Sequence, residues 1–241
     1  MQTIAVSIIC QNEDKHIAEC LDWVTEYVNP DEIVIVDGGS VDNTLWIINC
    51  YKRNGANIKL IENPMPDIFS QQRNLALANC TKDWILSIDI DETYSGNIRD
   101  LIFDIRNDKY NDINGFVFPT AHLIKDQFHM VNDGGDIHIR LFRNLPDIKY
   151  VGDVHEMLYL GGLSMIHNRD QCKIIEMANV ALKHHSLLKS DEELLVKGKR
   201  YMRWAEKSTS LGIVIDNEYW FINSKNDYLG RGMYDVPKDW Q

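Results

Sequence analysis

Two periodicities alternate over residues 1 to 92, and that alternation constrains the fold more than any other feature of the sequence. Thr3 to Ile9 is a continuous apolar run rich in β-branched side chains, the pattern of a strand covered on both faces. It is followed by Ile17, Leu21, Val24 and Val28 at helical spacing, with Asp14 placed to cap the helix. The unit then repeats. Glu32 to Val36 predicts a second strand, the turn Asp37-Gly38-Gly39-Ser40 follows, and Leu45, Ile48 and Tyr51 predict a helix ending near Asn54-Gly55. Ile58 to Ile61 predicts a third strand before a loop bearing Pro64 and Pro66; Ser70 is then expected to cap a helix carrying Leu75 and Leu77, and Trp84 to Ile88 predicts a fourth strand. Strands alternating with helices imply an α/β fold whose sheet is doubly wound and mainly parallel.

From about residue 113 the alternation stops. Gly115 to Pro119 and Ile137 to Arg143 predict strands with polar residues on one face, Ser190 to Lys207 predicts a helix, and the tail from Ser208 is aromatic with little periodicity. With no repeat, low-complexity segment or linker to divide it, the expectation is one domain over 1–241, in which a smaller mixed lobe is fused to the doubly wound half.

Composition narrows the function. At 44% hydrophobic and 25% charged the chain can bury a substantial core. Its net charge of −11 leaves no basic cluster able to neutralise many phosphates, which argues against a nucleic-acid partner. Cys10, Cys20, Cys50, Cys80 and Cys172 are odd in number and form no C-x-x-C pair, so a reducing, cytoplasmic setting is expected rather than a disulfide framework or a thiolate zinc site. The N-terminal stretch has no basic leader pattern, and no run approaches the roughly 18 apolar residues of a membrane span. The expectation is a soluble protein, or one peripheral at the inner face of a membrane.

In an open α/β sheet, ligands bind outside the carboxyl ends of the strands. Three expected strand ends carry acids there: Gln11-Asn12-Glu13, Asp37-Gly38-Gly39-Ser40 and Asp89-Ile90-Asp91-Glu92. On an extended segment Asp89 and Asp91 point to the same face, and paired hard oxygens suit Mg²⁺ or Mn²⁺ completed by substrate phosphates. In so Asp-rich a chain the triplet alone carries little, and its place after an apolar strand is what raises it. Asp37 precedes two glycines that would let a ligand approach the backbone; it could equally serve as a helix cap, a role also open to Ser40 or Asp42. Gln71-Gln72-Arg73-Asn74 falls in the expected first turn of a helix, where N–H groups and an Arg fork favour an anion. Arg140 and Arg143 alternate with Ile139 and Leu141, so an arginine of that strand can face the site or pair with an acid.

Four ordered segments, VSIICQNEDKHIAECL, DEIVIVDGGSVDNT, QQRNLAL and DWILSIDIDE, resemble the family 2 glycosyltransferases of the GT-A fold, in the branch that includes bacterial core-oligosaccharide glucosyltransferases of lipopolysaccharide. HIRLFRN (His138 to Asn144), YVGDVHEML (Tyr150 to Leu158) and ALKHHSL (Ala181 to Leu187) are similar to that branch's later motifs. The resemblance implies a nucleotide-sugar-binding half over 1–92, an acceptor and catalytic half over 93–207 and an aromatic tail over 208–241. It further implies that Asp37, with Gly38 beside it, bonds the nucleobase, that Gln11, Asn12 and Glu13 line base and ribose, and that Arg73 and Arg140 lie near the nucleotide. Asp89 would sit by ribose and sugar and share a Mn²⁺ or Mg²⁺ ion with Asp91 and His184. His184 is followed by His185-Ser186 where the family has an aromatic residue and a glycine, so either histidine could be the ligand.

The chemistry so implied is inverting transfer of a sugar from a nucleoside-diphosphate donor, a UDP-sugar, to a saccharide, lipid-linked or protein acceptor. One carboxylate takes the acceptor's proton, with Glu156 the first candidate and Asp153 the second. Two other functions compete. A sugar-nucleotide pyrophosphorylase would want a glycine-rich, Arg-bearing loop after the first strand, which Gln11-Asn12-Glu13-Asp14 is not. Against a non-catalytic nucleotide-sugar-binding protein stand Asp37, Asp91, Glu156 and His184, all intact.

Overall fold

A computed structural model describes residues 1–64, 68–124, 127–131, 137–152 and 156–185, together with 192, 195, 199 and 233–235. The helix expected over 190–207 and the aromatic tail lie outside the described residues, apart from those isolated positions and one short strand.

The first half follows the alternation. Strands β1 (Ile4–Cys10), β2 (Glu32–Asp37), β3 (Ile58–Glu62) and β4 (Trp84–Ser87) lie in the order β3-β2-β1-β4 and are all parallel. In register, Cys10 stands opposite Asp37 and Asp37 opposite Glu62, so the strand ends form one edge. Between them run α1 (Ile17–Trp23), α2 (Thr44–Arg53) and α3 (Phe69–Asn79). Strand pleating sorts the core into two layers. Ile4, Val6, Ile8, Ile33 and Ile35 pack with Ile17, Leu21 and Ile48 on one face; Ala5, Val34 and Val36 pack with Ala76 and Leu77 of α3 on the other.

Three local expectations are corrected. No side chain caps α1; Asp14 instead donates its backbone N–H to Asp42 at 3.1 Å, and the helix loosens into a π-helical turn over Val24–Val28. Nor does Ser70 cap α3, which begins at Phe69 and carries Ser70 buried inside its first turn. The fourth strand stops at Ser87 instead of reaching Ile88.

The second half extends the same sheet. After β5 (Glu92–Tyr94) comes α4 (Ile98–Arg106), an amphipathic helix not expected from the sequence although Ile98, Leu101, Ile102 and Ile105 mark its buried face. Strands β6 (Gly115–Ile124), β7 (Gln127–Val131) and β8 (Ile137–Arg143) follow. β8 runs antiparallel beside β4, with Leu141 opposite Leu86, and β6 and β7 continue outward. β9 (Ile148–Val151), β10 (Met157–Leu160) and β11 (Leu163–Ser164) form a separate antiparallel sheet. After α5 (Arg169–Cys172), β12 (Ile174–Glu176) and β13 (Leu182–His184) both pair with β6, and β14 (Met233–Asp235) pairs with β7. The large sheet is thus parallel on one side of β4 and mixed on the other. Among the described residues no helix is long and apolar enough to cross a membrane.

Leu86 is fully buried on β4, where the two kinds of pairing meet. Leu86→Ala should cost about 2–5 kcal/mol in stability, read as a lower midpoint in chemical denaturation.

Candidate active site

The edge formed by the strand ends is built from loops tied to one another. Gln11 Nε2 donates to the Gly38 carbonyl at 2.8 Å, the Asn12 backbone N–H to Ser40 Oγ at 2.8 Å, and the Val41 backbone N–H to Asn12 Oδ1 at 2.9 Å. Asn12 adopts the left-handed region (φ 57°), which Asn tolerates better than most residues, and Gly39 (φ 90°) requires it. Glu13 joins the same web, its backbone N–H donating to Thr44 Oγ1 at 2.8 Å.

Asp37 is fully buried and organises the turn after β2. Its Oδ2 accepts the backbone N–H groups of Gly39 and Ser40, both at 2.8 Å, and its Oδ1 accepts the Ser40 hydroxyl at 2.5 Å. The start of α2 is served by Asp42, whose Oδ1 accepts from the Thr44 backbone N–H at 3.0 Å. The carboxylate contacts of Asp37 are those of a local turn organiser, and α2 begins at N-cap Asn43 without a side-chain cap from Asp37.

Arg73 lies one turn inside α3, not in its first turn, and the anions it meets are the chain's own carboxylates. Its Nη2 bonds Asp89 Oδ1 at 2.7 Å, and its Nε donates to Glu156 Oε1. The Tyr150 ring packs on the guanidinium, with 5.5 Å from Cζ to the ring centroid. Tyr150 is held in turn by Asn74 of α3, through a pair of side-chain to backbone hydrogen bonds of 2.7 and 2.9 Å. Arg140 projects from β8, and its Nη2 bonds both Asp89 Oδ2 at 2.8 Å and Glu92 Oε1 at 2.5 Å. Signs therefore alternate along one chain: Glu156, Arg73, Asp89, Arg140, Glu92. Arg143 faces elsewhere, donating to the carbonyls of Ile113 and Tyr110 and stacking on Trp84.

A turn corrects the pairing expected for the acidic triplet. The Glu92 backbone N–H donates to the Asp89 carbonyl at 3.0 Å, so the segment is a turn and not extended. Asp89 faces the arginines, with each oxygen bonded to a guanidinium. Asp91 instead faces His184, with 3.7 Å between Oδ1 and Nε2. The His185 Nε2 lies 3.1 Å from Thr93 Oγ1, and its backbone N–H donates to the Asp91 carbonyl at 2.8 Å.

The donor set of Asp91 and His184 fits a divalent cation. Adjacent ligands of an octahedral Mg²⁺ stand about 3 Å apart, and such ions keep most positions for water and substrate phosphates. Among the described residues no group of three His, Cys, Asp or Glu side chains is arranged to hold a metal by itself, so diphosphate oxygens would have to complete the shell. Asp153 lies outside the described residues. Glu92 and Tyr150 belong to the site and were missed as site residues. An acid directly after the triplet was the available signal for Glu92, and Tyr150 opens the segment YVGDVHEML.

The family described as Glycosyl transferase family 2 matches residues 5–130. Glycosyltransferase SunS of Bacillus subtilis is 27% identical over 98% of this chain and 50% of its own length. The lipopolysaccharide core biosynthesis glycosyltransferase LpsC of Rhizobium meliloti is 31% identical over 41% of this chain and 35% of its own length. The chain spans about half the length, or less, of these relatives. Among solved structures, S. aureus TarS 1–349 in complex with UDP-GlcNAc aligns with a TM-score of 0.60 at 14% identity, covering 94% of this chain and 72% of that one. The Pyrobaculum calidifontis mannosyltransferase PcManGT, in complex with GDP-Man and Mn²⁺, aligns at 0.56 and 15%, covering 95% and 74%. These likenesses show a shared fold.

The ion chain makes an acid-linked prediction. Burial works against ionisation of Asp89, but Arg140 and Arg73 outweigh it and hold the carboxyl well below its ordinary range. A carboxyl depressed in the folded state stabilises the fold above its unfolded pKa of about 4 and loses that contribution as pH falls toward the folded value. Asp89→Asn should therefore be less stable than wild type at pH 7, and the gap should narrow below about pH 4. Urea midpoints measured at pH 7, 4 and 3 check this.

Proposed function

The chain belongs to glycosyl transferase family 2 and has the GT-A fold, and on that premise we propose that it is a metal-dependent, inverting transferase using a UDP-sugar donor. Its acceptor is a saccharide, a lipid-linked saccharide or a protein. The observation that carries this proposal is the division of the acidic strand end. Asp91 and His184 form a partly exposed ligand pair, while Asp89 leads through Arg73 to Glu156. The five cysteines are all unpaired, which suits a cytoplasmic setting.

The web of Gln11, Asn12, Glu13 and Asp37, with Gly38 and Gly39, shapes the floor for base and ribose. Asp37 contributes by holding the turn's backbone. Asp91 and His184 would hold Mn²⁺ or Mg²⁺, which when bound supplies Lewis-acid stabilisation to the departing diphosphate. Arg73 and Arg140 are engaged with carboxylates, so their part is to orient Asp89 and Glu156 rather than to receive phosphate. Glu156 takes the proton of the acceptor hydroxyl as its oxygen bonds to the anomeric carbon, and the bond from that carbon to the diphosphate oxygen breaks. A single displacement of this kind inverts configuration.

Two measurements test the scheme. In calorimetry with a panel of UDP-sugars, EDTA should weaken donor binding by wild type, and Asp91→Ala should abolish the difference between Mn²⁺ and EDTA. Equal affinity in every condition removes the metal. Separately, Glu156→Gln should bind donor normally yet lose about two to four orders of magnitude in turnover, whereas Asp153→Asn should not. If Asp153→Asn is the inactive variant and Glu156→Gln transfers sugar at the wild-type rate, Asp153 is the base.

A further inference from the structure

We propose that Glu92 is a positioning residue for this site: without touching donor or acceptor, its carboxylate sets the alignment of Asp89 and Arg140, and through them the clamp on Glu156. The proposal rests on the transferase function above and adds to it a residue outside both the metal pair and the general base.

Glu92 is 2% exposed, so it is not offered to a ligand. Its two oxygens face different partners. Oε1 accepts from Arg140 Nη2 at 2.5 Å, and Oε2 accepts the backbone N–H of Asp89 at 3.0 Å. Glu92 thereby fixes the backbone that carries Asp89 and also one of the two guanidiniums that bind the Asp89 side chain. The hold on Arg140 is narrow, because the same Nη2 serves both Asp89 and Glu92 while Nε is buried with no partner among the described residues. With Glu92 neutral, Arg140 would keep only Asp89, and a buried guanidinium short of one carboxylate shifts toward the charge that remains.

The backbone of Glu92 serves the other half of the site. It pairs with His184 across β5 and β13, and the next contact along, from the His185 backbone N–H to the Asp91 carbonyl, fixes the opposite side of the same turn. One residue thus sits where the Asp91–His184 pair and the Asp89–Arg73–Glu156 chain are joined. A carboxylate one methylene shorter could not reach Arg140 and the Asp89 N–H together, and an amide of the same shape would turn a donor toward one of two donors. Misplacement of a reacting group by about 1 Å can cost a hundredfold in rate.

The test uses Glu92→Gln and Glu92→Asp in the full chain. It measures hydrolysis of UDP-sugars with Mn²⁺, UDP binding by calorimetry, thermal melting, and the ¹⁵N NMR signal of the Arg73 Nε–H that donates to Glu156. Both variants should melt cooperatively and bind UDP within about threefold of wild type, and should lose roughly ten- to a hundredfold in kcat with little change in donor KM. The Arg73 Nε–H signal should move in both. Wild-type kcat in either folded variant overturns the proposal. So does a parallel fall in UDP affinity, which would make Glu92 a donor contact, and so does an unmoved Nε–H signal. If neither variant folds, Glu92 is a stability element and the proposal is wrong. If wild type neither hydrolyses nor binds any UDP-sugar, it is the transferase function that fails, and the Nε–H signal alone still decides whether Glu92 aligns Arg73.

Discussion

Two guanidiniums buried side by side are the constraint on which the rest of the site depends. Arg73 and Arg140 have side chains 8% and 10% exposed, and a charge so withdrawn from water is tolerable only when carboxylates stand against it. Each arginine stands between two carboxylates, with Asp89 shared in the middle. Removing any member leaves a buried charge short of a partner, which is why this cluster specifies one arrangement of α3, β8 and the turn after β4.

One hydrogen-bonded turn divides the labour of the acids. Because the chain bends between Asp89 and Glu92, the two aspartates meet different partners. Both side chains are partly exposed, but Asp89 is held ionised between two arginines whereas Asp91 stands beside an imidazole. Two carboxylates in one triplet can serve different ends when their surroundings differ. From Asp89 the ion chain runs through Arg73 to Glu156, which directly precedes β10 of the small sheet. Loops tied through Asn12, Ser40 and Asp37 form the remaining wall, and their rigidity comes from side chains that accept backbone N–H groups.

The extent of the fold legible in the sequence follows from the range of the interactions that make it. The parallel half could be read because its signals are local: β-branched runs for β1 and β2, helical spacing for α2, a turn with glycine after Asp37. The capping role of Asp14 could not, since a helix start depends on how the preceding loop is held, and this loop bonds across the sheet edge to residues about thirty positions away; nor could that of Ser70, which α3 takes into its first turn. Helix α4 was legible and overlooked, with its apolar residues at plain helical spacing.

For the site, the sequence by itself determined which residue types stand at the strand ends, and with them Asp37, Asp89, Asp91, Glu156, Arg140 and His184 as residues to examine. It could not pair them. Asp89 and Asp91 were expected to share an ion, Arg73 to await an anion, and either His184 or His185 to bind metal. Only the tertiary structure decided that Asp89 meets Arg73 and Arg140, that Glu156 lies against Arg73 from 83 positions away, and that His184 is the histidine facing Asp91. The physical reason is that a charge is paired according to distance in space and exclusion of water, and neither exists until β8 and β13 have closed around the end of β4.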